Sequence, residues 1–101
     1  MNNSIIKIRK RKDKNNAIKS AIFAFADGKD SILICGEGRE ISTAVEIAEI
    51  LRQRMGPAVE ISDITLGSRP FYRKGKNNRN RKIKFNDDIV SQIEIEISKR
   101  L

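Results

Sequence analysis

The chain has 101 residues, 39% of them hydrophobic and 5% aromatic, and its 21 basic and 13 acidic residues give a formal net charge of +8. This length predicts one soluble domain over residues 1–101 with a modest aliphatic core, because no apolar run approaches the ~20 residues that span a bilayer. With no histidine and one cysteine, the sequence excludes histidine-dependent nucleophile pairs, histidine metal sites and an intrachain disulfide.

A strand followed by a helix is predicted in the N-terminal part of the chain. The apolar run Ser4–Ile8 is typical of a short strand, and a run of charged residues follows it. Apolar side chains then recur at helical spacing between residues 15 and 26. Either Asn15 or Asn16 is suited to cap this helix, and the Asp-Gly pair at 27–28 is suited to end it.

A second strand and a second helix are predicted next. The continuous apolar run Ser31–Cys35 indicates a central strand buried on both faces, with Cys35 interpreted as a small buried hydrophobe. The helix that follows ends at Gly56-Pro57. Its predicted buried stripe consists of Ile41, Ala44, Val45, Ala48, Leu51 and Met55.

The C-terminal part predicts two strands joined by a long arm. One strand runs from Val59 towards Leu66 or Tyr72, and its broken alternation indicates an irregularity near Ser62-Asp63. Residues 69–88, called the arm here, are interpreted as an extended β-ribbon. The last strand alternates cleanly, with one face formed by Ile89, Ser91, Ile93, Ile95 and Ile97. The order β-α-β-α-β-β predicts a small α/β sandwich: a mixed four-stranded sheet with two helices on one face and a long basic β-hairpin arm.

Positive charge is concentrated outside the middle of the chain. Between Ser31 and Ser68 there are three basic and six acidic residues, which give this middle part a net charge of −3. Because the whole chain has a net charge of +8, the two flanking segments together carry +11. A scaffold of low charge with two basic extensions is typical of a protein that binds a polyanion.

The arm is basic and contains no acidic residue as far as residue 84. Such cations can reach a phosphate backbone and displace its counterions, and arginines can enter a narrow minor groove; the alternative is a solvated loop. Three aromatic residues flank the arm (Phe71, Tyr72 and Phe85), and they either stack on unpaired bases or anchor the ribbon to the sheet. The predicted contacts are Arg69, Arg73, Lys74, Lys76, Arg79, Arg81, Lys82 and Lys84.

A second basic run lies between the first strand and the first helix. Two interpretations are open: a disordered tail, or a defined surface for binding, which the position between two regular elements favours. The run consists of Lys7, Arg9, Lys10, Arg11, Lys12 and Lys14. The predicted nucleic-acid contacts outside the arm are Lys10, Arg11, Lys12, Lys14 and Arg39.

The turn Gly36-Glu37-Gly38-Arg39 follows a strand and opens a helix, as half of a dinucleotide-binding fingerprint would. Ile41 replaces the third glycine and no lysine-serine pair follows, so neither a Rossmann nor a P-loop site is predicted. The helix-start amides beside Arg39 suit a phosphate, whereas Glu37 opposes one.

Few carboxylates are grouped in a way that suits catalysis. The local groupings are Glu37 with Glu40 and Asp87 with Asp88, which leaves a Mg²⁺-dependent nuclease as a remote alternative. We predict no catalytic residue, cofactor or metal.

The segment GEGREISTAVEIAEILRQRM, preceded by a strand and followed by Gly67-Ser68, resembles the Alba family of small basic archaeal nucleic-acid-binding proteins. The final Ile-Glu-Ile-Glu-Ile strand also fits the family. The matching positions are Gly36, Gly38, Arg39, Ile41, Ser42, Ala44, Val45, Glu49, Ile50, Arg52 and Arg54.

The resemblance implies a dimeric protein that binds duplex DNA and RNA with little sequence preference, its arms along the minor groove and its body on the backbone. Lys10 and Arg11 match the family's paired lysines, Arg39 matches its turn arginine, and Glu37 stands where the family often has arginine. Met55 matches a hydrophobe used between dimers. The expected partners are DNA or RNA and a second copy or a paralogue, in the cytoplasm on the chromosome and without a membrane. An RNA-binding ribonucleoprotein subunit is the alternative.

Overall fold

A computed structural model describes residues 3–70 and 89–100, which form four strands and two helices. Most of the arm lies outside the described residues, so its ribbon conformation stays a prediction. The elements are β1 (Asn3–Ile8), α1 (Lys14–Ala26), β2 (Ser31–Glu37), α2 (Ile41–Met55), β3 (Val59–Pro70) and β4 (Ile89–Lys99).

The strands form one mixed sheet in the order β1-β2-β4-β3. β1 and β2 are parallel and joined by α1, as parallel neighbours require a crossover connection. β4 is antiparallel to both β2 and β3. The predicted mixed four-stranded sheet with two helices is confirmed.

The core lies between the two helices and one face of the sheet. β2 and β4 supply the inner isoleucines, including Ile32, Ile34 and Ile97, which have no exposed surface. The helices contribute the opposing layer, which consists of Ala17, Ile18, Ala21, Phe25, Ala44, Ile47, Ala48 and Leu51. In the described ranges, no helix has the length and hydropathy to cross a membrane.

The buried stripe of α2 is displaced from the predicted one. Thr43 and Ile47 are buried, whereas Val45, predicted to face the core, is exposed. Each residue turns a helix by about 100°. Val45 therefore points past the edge of the surface that Ala44 shares with Ile47, so the prediction for Val45 was wrong.

Within residues 3–70 and 89–100, no helix covers the other face of the sheet, so the predicted burial of β2 on both faces, and of Cys35 with it, was also wrong. Leu33 and Cys35 point to this open face and are partly exposed. Partial burial, and then the nearby carboxylate of Glu94, raise the pKa of the Cys35 thiol. The thiol is therefore protonated at neutral pH and weakly nucleophilic.

The first helix begins earlier than predicted. A 3₁₀ turn, Arg11–Asp13, leads directly into α1, and Asp13 rather than Asn15 or Asn16 stands at its N-cap. The Asp13 Oδ2 atom accepts hydrogen bonds from the backbone N–H groups of Arg9 and Lys10 at 3.1 and 3.0 Å. This carboxylate folds the basic run into a defined turn. The predicted helix end at Asp27-Gly28 is confirmed.

A β-bulge changes which side chains of β3 face the helices. The register shifts between Ile61, opposite Ile97, and Asp63, opposite Glu96, as the broken alternation predicted. Ser62 occupies the extra position, and its hydroxyl lies 2.7 Å from that of Ser98. Beyond the bulge, the even-numbered residues of β3 lie on the helix side of the sheet.

The helices do not reach the distal half of β3, and an apolar strip is left uncovered there. Ile64 and Leu66 lie opposite Ile95 and Ile93, on the helix side, yet they are 55% and 75% exposed. Ile89, at the start of β4, is exposed as well. We call Ile64, Leu66 and Ile89 the apolar strip.

Candidate nucleic-acid interface

Two turns that carry exposed basic side chains leave the sheet at the same edge. We call them the basic turns, although the second carries Glu37 and Glu40 beside Arg39. Ile8, the last residue of β1, lies opposite Gly36 in the parallel pair with β2. Because parallel strands present their carboxyl ends at one edge, the turn after β1 and the turn after β2 emerge side by side. We call this end of the sheet the basic edge.

The arm departs from the same end of the molecule. Gln92 of β4 lies opposite both Glu37, the last residue of β2, and Gly67 of β3. Pairing of β3 with β4 then continues past the basic edge as far as Pro70 opposite Ile89. β3 therefore ends, and β4 begins, on the side where the two basic turns lie.

Close backbone packing shapes the turn after β2. A Cβ atom at Gly36 would lie 2.5 Å from the carbonyl oxygen of Glu40 and 2.9 Å from the Cβ of Ala44. Gly38 has a φ of +56°, which side-chain-bearing residues rarely adopt. The backbone therefore requires glycine at both positions, and the two glycines allow the start of α2 to lie close to the end of β2.

Replacing Gly36 with alanine tests this packing. We expect the free energy of unfolding to fall by about 1–3 kcal/mol, because neither the Glu40 backbone nor the Ala44 methyl group can move aside cheaply. Thermal unfolding followed by circular dichroism measures the change. Gly67→Ala is the control, since its Cβ would meet only the side chain of Gln92, from 3.4 Å outward. Equal melting of the Gly36→Ala variant and the wild type would contradict the packing argument.

The cleft beside Gly36 is not a simple anion site. It is lined by two basic side chains, Lys7 and Arg9, and by three acidic ones, Glu37, Glu40 and Glu94. Their charges oppose the binding of a phosphate at the glycine turn, so the cations that suit phosphate lie elsewhere on the basic edge.

Three predicted contacts project from the basic edge into solvent. Lys10 and Lys12 in the first turn and Arg39 in the second are exposed. Among residues 3–70 and 89–100, none of these three side chains takes part in an ion pair. Their charge is available to an external anion.

Arg11 and Lys14 have a different environment. The guanidinium of Arg11 donates to both carboxylate oxygens of Glu46 on α2, at 2.9 and 3.3 Å, and to the Oγ1 of Thr43 at 3.2 Å. The Nζ of Lys14 lies 3.3 Å from the same Glu46 carboxylate. These hydrogen bonds lower the pKa of Glu46, and they raise the pKa of Arg11.

Sequence reasoning missed this cluster. Glu46 lies off the apolar stripe of α2 and looks like any solvent-facing residue, and its partner Arg11 is 35 residues away. Thr43 gives no signal either, although it is 1% exposed and donates a hydrogen bond to the Glu40 carboxylate at 2.9 Å.

The remaining predicted contacts belong to the arm. Arg69 belongs to β3, and only its backbone is described. The carboxylate pair Asp87-Asp88 lies outside the described ranges. Met55 is partly buried against the core. The arm cations outside the described residues are Arg73, Lys74, Lys76, Arg79, Arg81, Lys82 and Lys84.

Comparisons with known proteins agree with this architecture. The Alba family model matches residues 4–68. The DNA/RNA-binding protein Alba 2 of Saccharolobus solfataricus is 35% identical over 63 residues, which cover 62% of this chain and 71% of that protein. The DNA/RNA-binding protein Alba of Nanoarchaeum equitans is 28% identical over 91 residues, covering 89% and 92%.

A solved structure gives the same result for the fold. Alba from Thermoplasma volcanium superimposes with a TM-score of 0.72 at 28% identity, covering 93% of this chain and 98% of that one. Sequence and fold therefore lead to one conclusion: the chain belongs to the Alba family.

Proposed function

We propose that this protein is a homodimer that binds double-stranded DNA, and RNA, with little sequence preference, through a basic body and two basic arms. The observation that carries the proposal is that both basic turns and the strand ends on either side of the arm, Pro70 and Ile89, lie at one end of the sheet. Relatives named DNA/RNA-binding proteins support the same ligand class.

The body would contact the phosphate backbone rather than the bases. Lys10, Lys12 and Arg39 stand on two short turns, with no element among the described residues that would enter a groove. Such cations gain affinity by releasing counterions from phosphates, which carries no sequence information. Coating of the chromosome is the role that this mode of binding suits.

The apolar strip supports a dimer. Single exposed apolar residues are ordinary, but three on one side of a strand pair mark an interaction surface. A second copy is the occupant we propose, because a two-fold axis buries the same strip of both chains at once. Since the strip lies on the two strands that lead into the arm, pairing would bring two arms to one duplex. A paralogue with the same strip would form a heterodimer.

Assembly of dimers along the duplex remains a further prediction. Met55 is only partly buried, which leaves part of its side chain for a contact between neighbouring dimers.

Fluorescence titration against matched 20-base-pair DNA and RNA duplexes across a salt series tests the proposal. Equal binding of both duplexes with a steep salt dependence is expected, and the slope counts the phosphates engaged. A strong RNA preference that survives high salt would favour the ribonucleoprotein subunit, which recognises shape and 2′-hydroxyls. Binding that does not change with salt would contradict the proposal.

A further inference from the structure

A cluster of four side chains links the two basic turns. It starts at Arg11 in the first turn, whose guanidinium forms a bidentate ion pair with Glu46 and also donates a hydrogen bond to Thr43. Thr43, on the first turn of α2, passes a hydrogen bond on to Glu40 beside Arg39. We call Arg11, Thr43, Glu46 and Glu40 the brace.

The geometry of the brace is more restrictive than that of an ordinary surface ion pair. A planar guanidinium bound to both oxygens of a carboxylate is fixed in orientation as well as in distance. The Thr43 hydroxyl that it also contacts is almost fully buried, so this third point is immobile. Arg11 therefore attaches the first basic turn to the helix that follows the second one.

The charges in the brace also differ from those of the neighbouring cations. Glu46 sits against both Arg11 and Lys14, so one carboxylate offsets part of two positive charges. Lys10 and Lys12, on either side of Arg11 in sequence, form no ion pair within the described residues. Adjacent residues of one basic run thus have different electrostatic states.

We infer that Arg11 is a positioning residue: it holds the two basic turns in register, while Lys10, Lys12 and Arg39 make the phosphate contacts of the body. The inference rests on the proposed function for its ligand, and it replaces the simple phosphate contact that the sequence predicts for Arg11. Glu46 and Thr43 then have a function that the resemblance alone does not assign.

The first test is the salt dependence of duplex binding by single alanine variants. Lys10→Ala and Lys12→Ala should each reduce the slope of log affinity against log salt by about 1.8, the loss of one phosphate contact in each protomer of the dimer. Arg11→Ala should weaken binding by one factor at every salt concentration and change the slope by less than half as much. A full unit of slope lost on Arg11→Ala would overturn the inference.

The second test measures the local stability of the two turns in the absence of nucleic acid. Hydrogen exchange of the backbone amides at residues 10–13 and 38–40 should become faster in Arg11→Ala and also in Glu46→Gln, which removes no cation. Glu49→Gln is the matched control, because Glu49 is exposed on the same helix and changes the net charge equally. Unchanged exchange in Glu46→Gln would overturn the inference even if Arg11→Ala failed to fold.

The two tests separate this inference from the proposed function. If the wild type does not bind duplexes, the proposed function fails, whereas the exchange experiment still reports whether the brace holds the turns.

Discussion

Replacing Arg79, Arg81 and Lys82 together with alanine will flatten the salt dependence of duplex binding. Each phosphate contact contributes about 0.9 to the slope, so the loss of three contacts in each protomer, six in the proposed dimer, reduces it by up to about 5.4. The physical reason is that the arm supplies a dense set of cations with no intervening acid between residues 69 and 84. The same fluorescence titration, repeated from low to moderate salt, measures the slope.

A charge-matched control makes this result specific to the arm. Lys29, Arg54 and Lys99 lie at the opposite end of the sheet, where β2 begins and where α2 and β4 end. Replacing these three with alanine removes the same charge and should leave the slope nearly unchanged. Equal slopes for the wild type and the arm variant would refute the use of the arms.

Replacing Leu66 with glutamate is expected to convert the proposed dimer into monomers. Burying a leucine side chain contributes about 1.5–3 kcal/mol, and a two-fold interface contains each residue twice, so the loss doubles. A carboxylate buried there without a partner adds a further cost. Sedimentation velocity at micromolar concentration should show the monomer, and duplex affinity should fall because only one arm remains per particle.

The open face of the sheet offers the control for this substitution. Ile5 is also a large exposed apolar residue, but it lies opposite Leu33 on the face without helices. Ile5→Glu introduces the same chemistry and should leave the dimer intact. A Leu66→Glu variant that sediments as the wild type does would show that the apolar strip is not the interface.

Much of the fold follows from local patterns. The regular alternation of apolar and polar residues predicted β4, and the interrupted alternation in β3 predicted the bulge near Ser62. Both could be predicted because the side-chain period is a local property of a strand. Burial of single residues was less predictable. Val45 is exposed and Leu33 is partly exposed because helix placement, which no local pattern records, decides how much of each surface is covered.

Part of the candidate site could likewise be predicted from local sequence patterns, and part depends on the fold. The turn after β1 and the arm are runs of mostly like charge, which the sequence displays directly, whereas Arg39 stands between Glu37 and Glu40. The pair of Arg11 with Glu46 depends on two residues that only the fold brings together. The exposure of Leu66 has the same origin, since its pattern is that of a core residue and only the reach of the helices leaves it uncovered.

The bulge at Ser62 changes whether the odd-numbered or the even-numbered residues of β3 lie on the helix side of the sheet. Before it, the odd-numbered residue Ile61 faces the helices, and after it the even-numbered residues Ile64 and Leu66 do. A one-residue insertion or deletion between Asp63 and Ile64 would reverse this change and turn Ile64 and Leu66 to the open face. The number of residues between the bulge and Leu66 is therefore constrained, because it decides on which face of the sheet the apolar side chains of β3 lie.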